Sequence, residues 1–405
     1  MATPVPHNRA LNGLRFAAFL FVFLFHALQR SPWANWPIIR FGFLGVPVFF
    51  VLSGFLIGGI LLDLKAEKRT RLGSKLARFY LRRALRIFPV YYLFIALLAL
   101  PMFLAGWPDK VAHDCLPWHL GYLTNVRSFV LGMEQVREGH FWSLAVEEHF
   151  YLLAPIVVLL VSPRALVRIL VGVVAAVALA RYAVYRAGSA RDFWVLSPMQ
   201  FDLLGLGIAT AIIDRTGSFL GMTAGRLRAL GLFAVLFFAL YLRRFYLGRP
   251  GIGVAYATLG PLALGLATAA LVLTLWQEPQ RWYARVLALP PLAYLGQISY
   301  GLYLFHPNCL AWSSRYFGTY TITNTLVGLV ITLAVAALSW HGFEKPINNL
   351  KHRFGYRGER DRPARVSPAV APEVVAWSEI RRTSGPRPLA AARLATRDKG
   401  SRAGI

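Results

Sequence analysis

Long apolar runs separated by short polar segments, most of them basic, dominate this chain. Ten runs stand out, at about 12–29, 42–62, 88–106, 144–162, 165–186, 197–213, 228–245, 252–275, 292–311 and 323–342. Each lies near the ~20 residues that a helix needs to cross about 30 Å of hydrocarbon. A backbone in lipid must satisfy its own hydrogen bonds, so each run reads as a helix. The predicted fold class is all-α: a polytopic membrane protein of about ten transmembrane helices, with residues 1–350 forming one domain. No internal repeat is visible, so nothing points to a repeat-built transporter.

Composition agrees. Apolar residues make up 57% of the chain and charged residues 15%, against roughly 25% charged in soluble domains. The net charge of +26 raises nucleic-acid binding, but the basic residues sit between apolar runs and in the C-terminal tail. That distribution suits cytoplasmic loops and anionic lipid instead. The strongest basic segment between runs, from Asp63 to Arg86, holds nine Lys and Arg residues. It is expected on the cytoplasmic side, which puts both termini inside a multi-pass inner (plasma) membrane protein. Arg243, Arg244 and Arg249 then fall outside, against the trend. Residues 107–141 become the main external loop. Residues 351–405 are basic and poor in large apolar side chains, and read as a disordered cytoplasmic tail. The N-terminus lacks the small-residue cleavage site of a signal peptide. Cys115 and Cys309 have no metal-ligand spacing, so no metal is expected. Both fall on the side assigned outside, where a disulfide and two free thiols are both open.

Charged residues within apolar runs are costly and face a cavity or a partner. Arg15 and His26 share the first run, eleven residues apart. On a helix that is within roughly 20° of one face and about 16 Å along the axis. They suggest a polar track through the protein; the alternative is a snorkelling Arg and a satisfied buried His. Arg83 and Arg86 share a face if their segment is helical, and two guanidiniums suit a phosphate. From composition alone they also fit an ordinary positive-inside anchor. His140, Glu147, Glu148 and His149 cluster where the external loop enters a run, in reach of acid–base work or of headgroups. His306 is expected near the depth of His26, and Glu344 makes sense as a counter-charge for the inner arginines. No Gly-x-Ser-x-Gly elbow surrounds Ser53, so the small residues of its run read as helix packing.

Six segments resemble, in order, the membrane-bound acyltransferase family 3. They are Leu-Asn-Gly-Leu-Arg15 with His26 eleven on, Gly45-Val-Pro-Val-Phe-Phe-Val-Leu-Ser-Gly-Phe-Leu-Ile57, and Arg83-x-x-Arg86-Ile-x-Pro-x-Tyr-Tyr. Trp-Ser-Leu-x-x-Glu147, Ile-Ser-Tyr-x-x-Tyr-Leu-x-His306 and Phe-Glu344-x-Pro complete the set. One departure is Gln200, where a similar family segment often has Arg before Phe201-Asp202. Some family members carry a large external hydrolase-like domain after the last span; the remainder of this chain is short and basic, and is similar to the stand-alone type.

The resemblance implies an O-acyltransferase that moves a short acyl group from cytoplasmic acyl-CoA, most simply acetyl-CoA, to a hydroxyl of an extracytoplasmic or lipid-linked glycan. Arg15, Arg83 and Arg86 would bind acyl-CoA, with Arg83 and Arg86 near its phosphates, Arg15 deeper and the pantetheine arm running up the track on the first helix. His26 would act as general base, with Glu147 and His306 positioning the acceptor or tuning His26. Direct transfer and an acyl-histidine route are both open. A lipid or a secreted small molecule is the alternative acceptor. A transporter without acyl transfer and a non-catalytic scaffold are the alternatives of other classes.

Overall fold

The computed structural model describes residues 8–104, 110–133, 136, 138–188, 192–246 and 253–351. The expected tail from residue 352 onward and Arg249 lie outside the described residues. Among the described residues the regular structure is helical, apart from one isolated bridge between Phe219 and Met222.

Ten long helices correspond to the ten apolar runs. They are α1 (Arg9–Leu28), α2 (Gly45–Ala66), α3 (Leu72–Leu104), α4 (Phe141–Leu160), α5 (Pro163–Arg186), α6 (Phe201–Thr216), α7 (Ala224–Tyr246), α8 (Gly253–Gln277), α9 (Ser299–Phe317) and α10 (Ile322–Ser339). Among the described residues, seven helices are long and apolar enough to cross a membrane by themselves. The protein is thus an all-α polytopic membrane protein. Helix α6, with sixteen residues, covers only about 24 Å at 1.5 Å per residue. Helix α9 is broken in its apolar character by His306, Pro307, Asn308 and Arg315.

The basic segment expected as a loop is largely helical. Helix α3 starts at Leu72 and runs through Arg83 and Arg86, because Arg, Leu and Ala are strong helix formers and Gly73 falls only in the first turn. Both arginines therefore rise with the helix instead of lying in a surface loop. At the start of α1, the Asn8 side chain accepts from the backbone of Ala10 and Leu11 at 3.1 and 3.2 Å. This satisfies two N–H groups that a helix start leaves without partners.

Close backbone contacts hold α1 and α2 in place. A Cβ at Gly45 would collide with Ala18 O, one at Gly207 with Val51 O, and one at Gly296 with Asn12 O. Helix α1 is thereby clamped between α2 and the short helix Pro290–Gln297, and α2 against α6. The small residues around Ser53 serve packing, as expected, since van der Waals fit drives helix association in lipid. At the far end of α2, Lys65 donates to Val158 O at 2.7 Å and Val161 O at 2.6 Å. It caps the C-terminus of α4, where a cation meets the helix dipole.

Candidate functional site

The expected site residues separate into two neighbouring groups. The first surrounds a pocket of about 670 Å³, open solvent included. Arg15 of α1, Arg83 and Arg86 of α3, and Glu147 and Tyr151 of α4 line it, together with Ser53 of α2. Tyr300 and Tyr303 of α9 complete the wall on the opposite side. Two helices thus bring three guanidiniums to one carboxylate on a third. Among the described residues none of Arg15, Arg83 and Arg86 makes a hydrogen bond or ion pair. Arg83 instead lies over the rings of Phe79 and Tyr151, with centroids 5.9 and 5.7 Å from its Cζ. Arg15 is within electrostatic range of Glu147 and Arg83.

Glu147 is fixed by its neighbours. Ser53 Oγ donates to its Oε1 at 2.6 Å and Tyr151 Oη to its Oε2 at 3.2 Å. Ser53 is therefore a hydrogen-bond donor to the carboxylate, a role its sequence context did not reveal. Glu344 stands behind this pocket on a π-helical turn, Trp340–Glu344. Ser339 Oγ donates to Glu344 Oε1 at 2.8 Å, and Arg86 lies within electrostatic range. The expected counter-charge to the inner arginines is present, though as a neighbour in place of an ion pair. Gly301 leaves room for it: a Cβ there would sit 3.2 Å from Glu344 Oε1.

The second group is histidine-rich. His26 Nδ1 and His306 Nε2 are 2.8 Å apart, and the two rings stack at 5.0 Å between centroids. His306 Nδ1 lies 2.8 Å from Tyr303 O. His140, at the start of α4, places its ring 5.5 Å from that of His306, and its Nε2 lies 3.3 Å from Leu304 O. Its Nδ1 is 3.7 Å from Glu138 Oε2, and Glu138 Oε1 accepts from Asn308 Nδ2 at 3.1 Å. Neither His26 nor His306 is on the pocket wall. Tyr303 links the groups: its hydroxyl shares a 2.7 Å hydrogen bond with Ser143 on the pocket wall, and its carbonyl faces His306.

The polar track expected along α1 is interrupted. Arg15 and His26 do lie on one uninterrupted helix, but Phe19 and Val22 between them are 0% and 1% exposed. Phe19 and Phe23 pack on the His306 ring at 5.7 and 6.2 Å. Angular position placed the two polar residues; it could not tell what fills the face between them.

The cluster at the start of α4 is divided by its own helical turn. His140 joins the histidines, Glu147 the arginines, and His149 Nδ1 meets Ser197 Oγ at 2.6 Å. Glu148 is off the pocket wall, near Glu147 and Arg83. Gln200 donates to Trp194 O at 2.6 Å, while Asp202 is gripped by Arg181 of α5 through contacts of 2.6 and 3.0 Å. A guanidinium does reach this segment, from another helix. Cys115 and Cys309 are buried free thiols. Among the described residues no group of His, Cys, Asp and Glu is arranged to hold a metal ion.

A family profile described as an acyltransferase domain matches residues 8–341. The chain is 28% identical over 370 residues to a putative peptidoglycan O-acetyltransferase, YrhL, of Bacillus subtilis; the match covers 84% of this chain and 55% of that protein. It is 25% identical over 375 residues to the peptidoglycan O-acetyltransferase OatA of Listeria monocytogenes, covering 87% and 58%. An O-acetyltransferase OatA of Staphylococcus aureus matches at 25% over 358 residues, covering 83% and 56%. The chain thus spans a little over half the length of the curated relatives it matches. No solved structure matches it.

Proposed function

Since the chain belongs to the acyltransferase family that its residues 8–341 match, we propose that it is a membrane O-acyltransferase moving a short acyl group from acyl-CoA to a glycan hydroxyl. The observation that carries this reading is the arginine pocket: three guanidiniums with no hydrogen-bond partner among the described residues, one of them on the helix that also carries one of two paired imidazoles. Guanidinium groups held ready in a partly buried pocket suit phosphate, and acyl-CoA is an acyl donor rich in phosphate. Acetyl-CoA is the simplest donor, and the glycan acceptor is drawn from what the relatives are named for. Glu147, locked by Ser53 and Tyr151, keeps Arg15 and Arg83 in array by attraction. In this reading the basic pocket opens to the cytoplasm of the inner membrane, and both termini lie there.

In the chemical step the acceptor oxygen attacks the thioester carbonyl carbon while the His26 imidazole takes the hydroxyl proton. The tetrahedral adduct expels the CoA thiolate as the C–S bond breaks. The imidazolium returns its proton to sulfur, leaving the ester, free CoA and neutral His26. No net proton and no acyl-enzyme are required.

The test is turnover by purified protein in lipid nanodiscs with radiolabelled acetyl-CoA and soluble peptidoglycan fragments. Label should enter the glycan as an ester that mild base releases. His26→Ala should still bind acetyl-CoA while losing roughly 10²–10⁴-fold in transfer, the usual contribution of a general base. Near-native transfer by that variant would refute the mechanism, and label recovered only in lipid would reassign the acceptor.

A further inference from the structure

We infer that His306 and the backbone carbonyl of Tyr303 fix His26 in the one tautomer whose Nε2 is free to act as base. This deepens the proposed role of His26 and rests on it. A backbone carbonyl can only accept a hydrogen bond. The 2.8 Å contact of His306 Nδ1 with Tyr303 O therefore requires a proton on Nδ1. A neutral His306 then has a bare Nε2, which accepts. Its 2.8 Å partner, His26 Nδ1, must donate. One proton remains on the His26 ring and it is on Nδ1, so Nε2 carries the lone pair. No hydrogen bond among the described residues engages that Nε2.

The carbonyl at the end of this chain is free for a reason written in the sequence. Inside an α-helix, the carbonyl of residue 303 would accept from the N–H of residue 307. Residue 307 is proline, inside α9, and has no N–H. The proline removes the one backbone donor that would compete for Tyr303 O and leaves it to the His306 ring, one residue earlier. Phe19, Phe23 and the stacked His26 ring hold His306 in that orientation. His306 has 0% exposure, which shields both nitrogens from bulk water.

When His26 takes the acceptor proton on Nε2, its Nδ1–H still donates to His306. Neither hydrogen bond has to reverse, so the arrangement needs no reorganisation on the way to the transition state. His306 is thus a positioning residue that acts through His26.

Two amides separate this role from a packing role. Glutamine ends where His Nε2 lies and supplies an acceptor to His26 Nδ1. Asparagine ends where Nδ1 lies and supplies none. His306→Gln should keep kcat within about ten-fold of native, whereas His306→Asn should lose on the order of 10²-fold or more, as expected when an imidazole is left in the wrong tautomer. The acyl-CoA KM should be unchanged in both. Equal activity of the two variants would overturn the inference. If both fail to fold, Pro307→Ala serves: the restored N–H competes for Tyr303 O. Because a carbonyl has two lone pairs, kcat should fall only about three- to ten-fold at constant KM. Unchanged kcat in folded Pro307→Ala protein would also overturn it. Full activity of His26→Ala would instead remove the base reading on which all of this depends.

Discussion

The arginine pocket and the histidine cluster lie about three helical turns apart on α1, yet they use their hydrogen-bonding capacity in opposite ways. At the pocket, Arg15, Arg83 and Arg86 make no hydrogen bond among the described residues, while the carboxylate of Glu147 is tied down. At the cluster, both nitrogens of His306 and one of His26 are engaged at 2.8 Å. Unused donors next to open space mark where a ligand completes the structure. Satisfied groups deep in the protein mark where orientation matters, since a ring held on both sides has a single tautomer. On the proposed reading, one region serves binding and the other directs a single proton.

With the roles divided in this way, damage to the pocket changes affinity and leaves the proton chemistry alone. The largest such effect is expected from Arg86→Lys. It keeps the charge but loses the planar fork, and hydrogen bonds to charged groups are worth about 1.5–3 kcal/mol. Acyl-CoA affinity in a titration should fall roughly 10- to 100-fold, with kcat nearly constant at saturation. A kcat defect at unchanged affinity would merge the two regions. Ser53→Ala is expected to act less strongly. It strips the 2.6 Å donor from Glu147, a loss of about 1–2 kcal/mol, seen as a roughly ten-fold rise in donor KM. Tyr151→Phe is milder still. The bond it removes is 3.2 Å long, and the remaining ring keeps its place under Arg83, so about two- to three-fold in KM is expected. Should Tyr151→Phe exceed Ser53→Ala, Glu147 would be held by Tyr151 first.

Much of this division was legible in the sequence. The ten apolar runs mark the ten long helices, because lipid leaves few other options for such segments. The eleven-residue separation of Arg15 and His26 fixed a common helix face, and the three-residue separation of Arg83 and Arg86 another. What was hidden depends on partners far along the chain. Ser53 and Glu147 are 94 positions apart, and nothing local in either segment announces the contact. The packed face between Arg15 and His26 was equally hidden, because periodicity gives direction and not occupancy. The freed carbonyl was within reach: Tyr303 and Pro307 stand four apart, the spacing at which a proline removes the helical donor. At Gln200, where the family segment often has Arg, the guanidinium that meets the segment is that of Arg181, on a different helix.

The layer of Phe19, Val22 and Phe23 has an electrical consequence. Moving one elementary charge through a membrane potential of 100 mV is worth about 2.3 kcal/mol. A continuous water-filled path from guanidiniums to imidazoles would offer anions and protons a conductor down that gradient. The three side chains, at 0%, 1% and 0% exposure, instead form a dry gap in which an ion would lose its hydration without compensation. A neutral pantetheine arm loses only the hydration of its amides and hydroxyl, far less than that of an ion. On the proposed reading the layer would act as an insulator that discriminates by charge, so that a protein with polar sites on either side of it need not discharge the membrane in which it works.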